Sequence, residues 1–337
     1  MGPIGYGRAG STVFEGPLME NNDQSLPPAV FLMGPTASGK TASAVELVRR
    51  HPFSIISVDS ANVYRDMDIG TAKPDAETLA IAPHALIDIR NPTETYSAAE
   101  FHDEALIEMH KATRDGQIPL LVGGTMLYFR AVLSGLAELP PASETIRREL
   151  EAEAAVEGWP VLHARLRKLD TVAANAIHPN DRQRIQRALE VIMMSGEKIS
   201  VLQQQGVERS LGYRVLKVVV CPESRNQLHE QIERRFHIML AAGFLDEMKM
   251  LRSRYALDRD MPSMRCVNYR QAWEYMEEEI SRDEMVEKAL AATRQLAKRQ
   301  LTWLRRESSA LWYDSHAEEA QQSLFNEVAR FIGPFLE

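Results

Sequence analysis

The chain has 337 residues, a net charge of −8, 45% hydrophobic and 26% charged residues, and two cysteines, Cys221 and Cys266. That length buries one large core and a smaller module, and no apolar run is long enough to span a bilayer. Two distant cysteines exclude a disulfide framework and a multi-cysteine zinc module and point to a reducing cytoplasm, while the acidic total excludes a uniformly basic coat for nucleic acid but not local basic patches.

Residues 1–25 scatter Gly, Pro, Asn and Ser without periodicity and lack the basic start and apolar centre of a signal peptide. They read as a disordered leader. The apolar run 30–33 predicts a buried strand, followed by Gly34-Pro35-Thr36-Ala37-Ser38-Gly39-Lys40-Thr41. This fits G-x-x-x-x-G-K-[ST], the loop that wraps a polyphosphate. Its glycines let successive N–H groups turn toward anionic oxygens, Lys40 adds a point charge, and the Thr41 hydroxyl is placed for Mg²⁺. Residues 41–50 predict a helix whose N-terminus faces the phosphates. The loop predicts a bound di- or triphosphate and leaves the reaction open.

A second strand, 54–58, ends at Asp59. Ligands of open α/β sheets collect at the carboxyl ends of strands, so Asp59 belongs near the loop. A carboxylate there accepts a proton or binds Mg²⁺ through water, and an Asp-Ser pair at a strand end is equally a common cap. A helix is predicted over 98–114. The strand 119–122 then runs into Gly123-Gly124-Thr125. A P-loop ATPase places an acidic residue at such a strand end to hold Mg²⁺. Its absence disfavours hydrolysis and favours a phosphate that is held and expelled; a plain strand-to-helix turn is the alternative. A fourth strand is predicted over 217–220.

The pattern is α/β: a parallel P-loop sheet flanked by helices, with a mainly helical insertion domain. The core spans 26–139 and 211–316, the insertion 140–210, and a C-terminal tail helix 317–337. Basic groups recur late. Arg182, Arg184 and Arg187 lie within the insertion, and Arg234 and Arg235 follow. Residues 294–306 hold five basic residues and no acidic one. At 100° per residue Arg294, Lys298 and Arg305 share a stripe flanked by Arg299 and Arg306, and Leu296, Ala297, Leu301, Trp303 and Leu304 take the opposite arc. Such a face suits a nucleic-acid backbone. Residues 274–287 carry seven acidic residues that can neutralise it, and charge pattern alone favours that ion-paired reading.

Together these segments resemble the tRNA dimethylallyltransferases, also called tRNA isopentenyltransferases. The P-loop matches, as do Asp59-Ser60-Ala61-Asn62-Val63-Tyr64 and Met67-Asp68-Ile69-Gly70-Thr71-Ala72-Lys73-Pro74. So do Gly123-Gly124-Thr125-Met126-Leu127-Tyr128, Asn180-Asp181-Arg182-Gln183-Arg184-Ile185-Gln186-Arg187-Ala188-Leu189-Glu190 and Ala297-Lys298-Arg299-Gln300-Leu301-Thr302-Trp303-Leu304-Arg305. The resemblance covers about 28–306. Two departures stand out. His84-Ala85 replaces the family's frequent pair of histidines before Leu-Ile-Asp, and Asn268 replaces a frequent glycine before Tyr269-Arg270. Asn tolerates positive φ better than most residues.

The resemblance implies transfer of a five-carbon prenyl group from dimethylallyl diphosphate to N6 of the adenosine 3′ of the anticodon in certain tRNAs. It implies Asp59 as general base, residues 34–41 and Mg²⁺ at Thr41 on the diphosphate, and Thr36 and Arg235 beside it. It also implies tRNA contacts at Asp59, Ser60, Ala61 and Asn62, at Thr125 and Arg147, and at Gln183, Arg184, Ile185, Gln186 and Arg187. Further contacts are implied at Arg265, Cys266, Val267, Asn268, Tyr269 and Arg270, and at Lys298, Arg299, Gln300, Leu301, Thr302, Trp303, Leu304 and Arg305. A cytoplasmic monomer that avoids membranes is expected. Three alternatives remain: a P-loop kinase using ATP, a prenyltransferase for free AMP, and a noncatalytic RNA-binding protein.

Overall fold

The computed structural model describes residues 25–204 and 210–336, so the leader expected over 1–25 lies outside the described residues except for Ser25. Six strands form one sheet: β1 (Pro28–Met33), β2 (Phe53–Val58), β3 (His84–Ala85), β4 (Ile118–Gly123), β5 (Arg214–Cys221) and β6 (Leu311–Asp314). Their order is β3-β2-β4-β1-β5-β6, and every pairing is parallel. The α/β expectation is met. Every residue of β1 and β4 is buried, as a parallel sheet covered on both faces requires. The register sets Met33 opposite both Gly123 and Val219, and Val58 opposite Gly123. The carboxyl ends of β1, β2 and β4 therefore finish level, and β5 runs on to Cys221.

The first helices are α1 (Lys40–Arg50), α2 (Ala76–Ile81), α3 (Ala98–Arg114) and α4 (Met126–Ser134). A capping box of Ser97 and Glu100 opens α3, and Phe101, Ala105, Met109 and Ala112 give it one buried stripe. The chain divides into two compact units, one of residues 133–210 and one of the remainder. The smaller unit holds α5 (Glu144–Glu157), α6 (Trp159–Leu169), α7 (Thr171–Ala176), α8 (Arg182–Ser195) and α9 (Ile199–Gln204). Leu150, Leu162, Leu166, Ile185 and Leu189 form its own core.

The larger unit continues with α10 (Arg225–Ala241), α11 (Phe244–Arg254), α12 (Tyr269–Met276), α13 (Arg282–Leu304) and α14 (Glu318–Leu336). The last helix corrects the expectation of a tail. Its Leu324, Phe325, Val328, Phe331 and Ile332 pack in one cluster with Val30, Leu32, Leu216 and Val218 of the sheet. Five inward apolar residues make α14 a covering layer of the core.

The loop after β2 is fastened from a distance. The buried Glu247 carboxylate on α11 accepts the N–H groups of Asp68, Ile69 and Gly70 at 2.9, 2.6 and 3.1 Å, and the Tyr269 hydroxyl at 2.6 Å. A Cβ on Gly70 would lie 2.3 Å from the Phe244 ring and 2.6 Å from the Tyr269 ring. Lys73 ties the same loop by bonds to the Tyr64 carbonyl, Asp68 and Asp88. Glu247→Ala strands four donors at once, two of them buried and two part-buried. It is expected to destabilise the chain by about 3 kcal/mol or more. Urea unfolding checks this through a lowered midpoint at unchanged slope.

Candidate active site

The phosphate loop spans the turn from β1 into α1, and its shape follows from two positions without side chains. Gly39 sits at φ +88, and a Cβ on Gly34 would lie 2.3 Å from the Val220 carbonyl oxygen. Lys40 Nζ donates to the Pro35 carbonyl at 2.7 Å and to Ser38 Oγ at 3.5 Å. Burial, then the neighbouring Arg235 charge, lowers the Lys40 pKa to about 8, against the opposing pull of Asp59. Burial likewise lowers the Arg235 pKa from its ordinary value, again opposed by Asp59. The Arg235 guanidinium donates to Thr36 Oγ1. Two desolvated cations and one carboxylate thus share a small space beside the loop. Thr41 is exposed at the start of α1, and its hydroxyl makes no hydrogen bond among the described residues.

Asp59 leaves the end of β2. Its Oδ1 accepts the N–H groups of Ala61 and Asn62 at 2.8 and 3.3 Å. These bonds aim the carboxylate and satisfy Oδ1 as a cap does, while Oδ2 makes no hydrogen bond among the described residues. Thr125, just past β4, accepts the Ser60 N–H at 3.1 Å. The Asp59 charge also reaches Cys266 and Tyr128, where burial first and Asp59 among the other causes push the Cys266 thiol up to about 12 and raise Tyr128 above its ordinary value. Tyr128 stacks on Phe101 at 4.2 Å. The groups that the Asp59 charge reaches are therefore partly aromatic.

Gln300, which the resemblance names among the RNA contacts, bonds the phosphate loop. Gln300 Oε1 accepts the Thr36 N–H at 2.8 Å and its Nε2 donates to the Gly124 carbonyl at 2.9 Å. Its amide faces the phosphate loop. The signal in the sequence was the glycine: a Cβ on Gly124 would lie 2.4 Å from Gln300 Nε2. Sequence reading also gave no role to Glu247 or Lys73, whose partners are remote in the chain or hidden in loops.

Other implied RNA contacts sort by exposure. Ile185, Asn268, Tyr269, Leu301 and Leu304 are buried, so their side chains do not form an RNA-facing surface. Gln183, Arg184, Arg265, Arg270, Lys298, Arg299, Thr302 and Arg305 are exposed, and Cys266, Val267 and Trp303 are half-buried. Within the smaller unit, Arg147 and Arg187 both bond the buried Glu190, at 2.9 and 2.7 Å, and Gln186 bonds the Arg147 carbonyl. Burial opposes ionisation of Glu190, but bonds from Arg187, the Ser143 N–H and Arg147 outweigh it and hold its carboxyl below the usual range.

The late basic helix is α13. Ala297, Leu301 and Leu304 face inward, while Lys298, Arg299, Arg305 and Arg306 face solvent and make no ion pair among the described residues. Arg294 pairs with Glu233, and Glu274, Glu277 and Glu279 pair with Arg270, Lys288, Arg252 and Arg259. The ion-paired reading of the stripe is corrected: these acids serve other cations.

The sequence model of IPP transferase matches residues 62–307. A full-length tRNA isopentenylpyrophosphate transferase from Bacillus halodurans is 36% identical, with 91% of this chain and 97% of that one covered at a TM-score of 0.67. A tRNA isopentenylpyrophosphate transferase from Staphylococcus epidermidis is 33% identical, with 91% and 99% covered at 0.64. A eukaryotic dimethylallyltransferase acting on tRNA is 23% identical and shares the fold, with 91% and 78% covered at 0.73. By the match over most of its length and by these relatives, the chain belongs to the IPP transferase family of prenyl-transferring enzymes.

Proposed function

We propose that this chain transfers a dimethylallyl group from dimethylallyl diphosphate to the N6 amine of the adenosine 3′ of the anticodon in tRNA. The observation that carries the reading is Asp59, held at a strand end beside a phosphate loop whose next strand, β4, ends in glycine where an ATPase needs an acid. The allylic C1–O bond breaks and its electron pair leaves with the diphosphate. The N6–C1 bond forms, and Asp59 accepts the proton that N6 loses. Negative charge grows on the departing oxygens, where the loop N–H groups, Lys40 and Arg235 stabilise it. The adenine leaves its stack to reach this recessed carboxylate, as modified bases commonly do.

Mg²⁺ fits the donor set here. It is held through few protein groups plus water and substrate phosphates, and the exposed, internally unbonded Thr41 hydroxyl is such a group. When bound there it supplies charge to the diphosphate oxygens. The cation row on α13 and the exposed Arg265 and Arg270 supply the RNA side. A soluble monomer acting on RNA in the cytoplasm is the setting proposed.

Asp59→Ala is expected to lower single-turnover transfer by on the order of 10²–10⁴ while tRNA still binds. Mass analysis of digested nucleosides measures the product, and an unchanged rate removes Asp59 from the chemistry. On α13, replacing Lys298 and Arg305 by Gln removes two phosphate contacts. The log–log salt slope of tRNA binding is expected to fall by roughly 1.5 to 2, with prenyl diphosphate affinity unchanged. The Lys40 pKa of about 8 sets a pH dependence. Below that value the ammonium is charged in the loop; above it the charge is lost, and bound diphosphate draws a proton back. Affinity for the diphosphate is expected to fall as pH rises through about 8, with proton uptake in calorimetry at about pH 9. Lys40→Met abolishes the uptake if the assignment is correct.

A further inference from the structure

We infer that Gln300 is a positioning residue that locks the phosphate loop to the Asp59 side of the active site, and is not a contact for RNA. The inference rests on the function proposed above and deepens it. Gln300 lies in α13 between the exposed Arg299 and the buried Leu301, and its amide turns inward. One bond from it fixes the Thr36 N–H and the other fixes the Gly124 carbonyl. A primary amide presents a donor and an acceptor in one plane; a carboxylate presents only acceptors and a lysine only donors. Both partners agree on which end is oxygen, so the orientation is set by the network itself.

The two bonds close a path across the site. The Thr36 hydroxyl is held by Arg235 and its N–H by Gln300. Gly124 precedes Thr125, whose hydroxyl accepts the Ser60 N–H, and Ser60 follows Asp59. The leaving-group loop and the general base are thereby tied through one side chain that is 264 residues from its loop partner. Gly124 belongs to the same device. A Cβ there would meet Gln300 Nε2 at 2.4 Å and the Gly34 carbonyl oxygen at 3.1 Å, so a side chain at 124 displaces the amide. Attack of N6 on C1 requires the diphosphate and the base in fixed relation, and a misplacement of about 1 Å costs on the order of 10²-fold in rate. The consequence is a helix with separate duties on its two faces: outward cations for the RNA and an inward amide for the chemistry.

Gln300→Met keeps the length of the side chain and removes both bonds. The expected result is a fall of roughly 10- to 100-fold in single-turnover transfer at saturating tRNA, with tRNA affinity and its salt slope within about twofold of the unaltered chain. Gly124→Ala, acting on the amide from the other side, should reproduce the fall, and the double variant should be no slower than the slower single one. Gln300→Glu adds a pH signature. Ionised, the new carboxylate repels the Gly124 carbonyl; protonated, it offers one donor and one acceptor as the amide does. The ratio of its rate to that of Gln300→Met should therefore rise as pH falls. The positioning role is overturned if Gln300→Met weakens tRNA binding in step with the Lys298 and Arg305 substitutions while the saturated rate is unchanged. A flat pH ratio also counts against it, and that variant carries the test if Gln300→Met fails to fold. The unaltered chain is the control: if it transfers no prenyl group to tRNA, the proposed function fails first, and this inference with it.

Discussion

Crowding of backbone at the carboxyl ends of β2, β4, β1 and β5 is the constraint on which the site depends. A Cβ on Gly123 would lie 2.0 Å from the Val58 carbonyl oxygen, and one on Gly34 would lie 2.3 Å from that of Val220. These are main-chain atoms fixed in a hydrogen-bonded sheet, so they cannot yield as a side chain would. Only glycine at 34 and 123 lets four strand ends close to this spacing. The spacing brings the phosphate loop, Asp59 and Thr125 within reach of one another. It also leaves the loop amides, apart from the Thr36 N–H that Gln300 holds, beyond the end of the sheet ladder, where a ligand can take their bonds.

Into this crowded edge the fold brings charge that it does not balance internally. Lys40 and Arg235 are desolvated and repel each other, and among the described residues Asp59 is the carboxylate that acts on both. Buried cations in excess lower their own pKa values, and an anion relieves that cost. A diphosphate leaving group supplies such charge, and more of it as the allylic bond lengthens. Under the proposed function, the same arrangement holds the ground state and favours bond cleavage further. The smaller unit treats charge in the opposite way. Arg147 and Arg187 are spent on one buried carboxylate, Glu190, which leaves Gln183 and Arg184 at the start of α8 as its outward groups.

The sequence was most readable where burial was complete. Val30–Met33 and Leu120–Val122 are apolar on both faces because both faces are covered, and the 98–114 helix carried both its cap and its stripe. The edge strands were not readable. His84–Ala85 is two half-buried residues long, and in Leu311–Asp314 the apolar run is three residues long and partly exposed. The α13 stripe was legible as a shape, but its pairing was not. Which acids meet which cations depends on Glu233 and Glu274 arriving from other helices. The bonds of Gln300 were hidden for the same reason: it is surrounded in the sequence by cations, and its partners Thr36 and Gly124 are brought to it by the sheet.

The departure at Asn268 shows how local strain is absorbed without loss of the site. This residue sits at φ +78, where the family's usual glycine needs no help and an L side chain does. The Asn268 side chain supplies that help by donating from Nδ2 to the Gly70 carbonyl at 2.9 Å, while its N–H meets Gln271 Oε1. Gly70 is also the residue whose N–H Glu247 holds. The substitution therefore adds a bond to the one loop already fastened by α11, and the strain at 268 is offset in the same place where the loop gains rigidity. A glycine at 268 exchanges that bond for conformational ease. The two effects have opposite sign, and the Asn268 Oδ1, buried without a hydrogen-bond partner among the described residues, is a further cost set against the new bond.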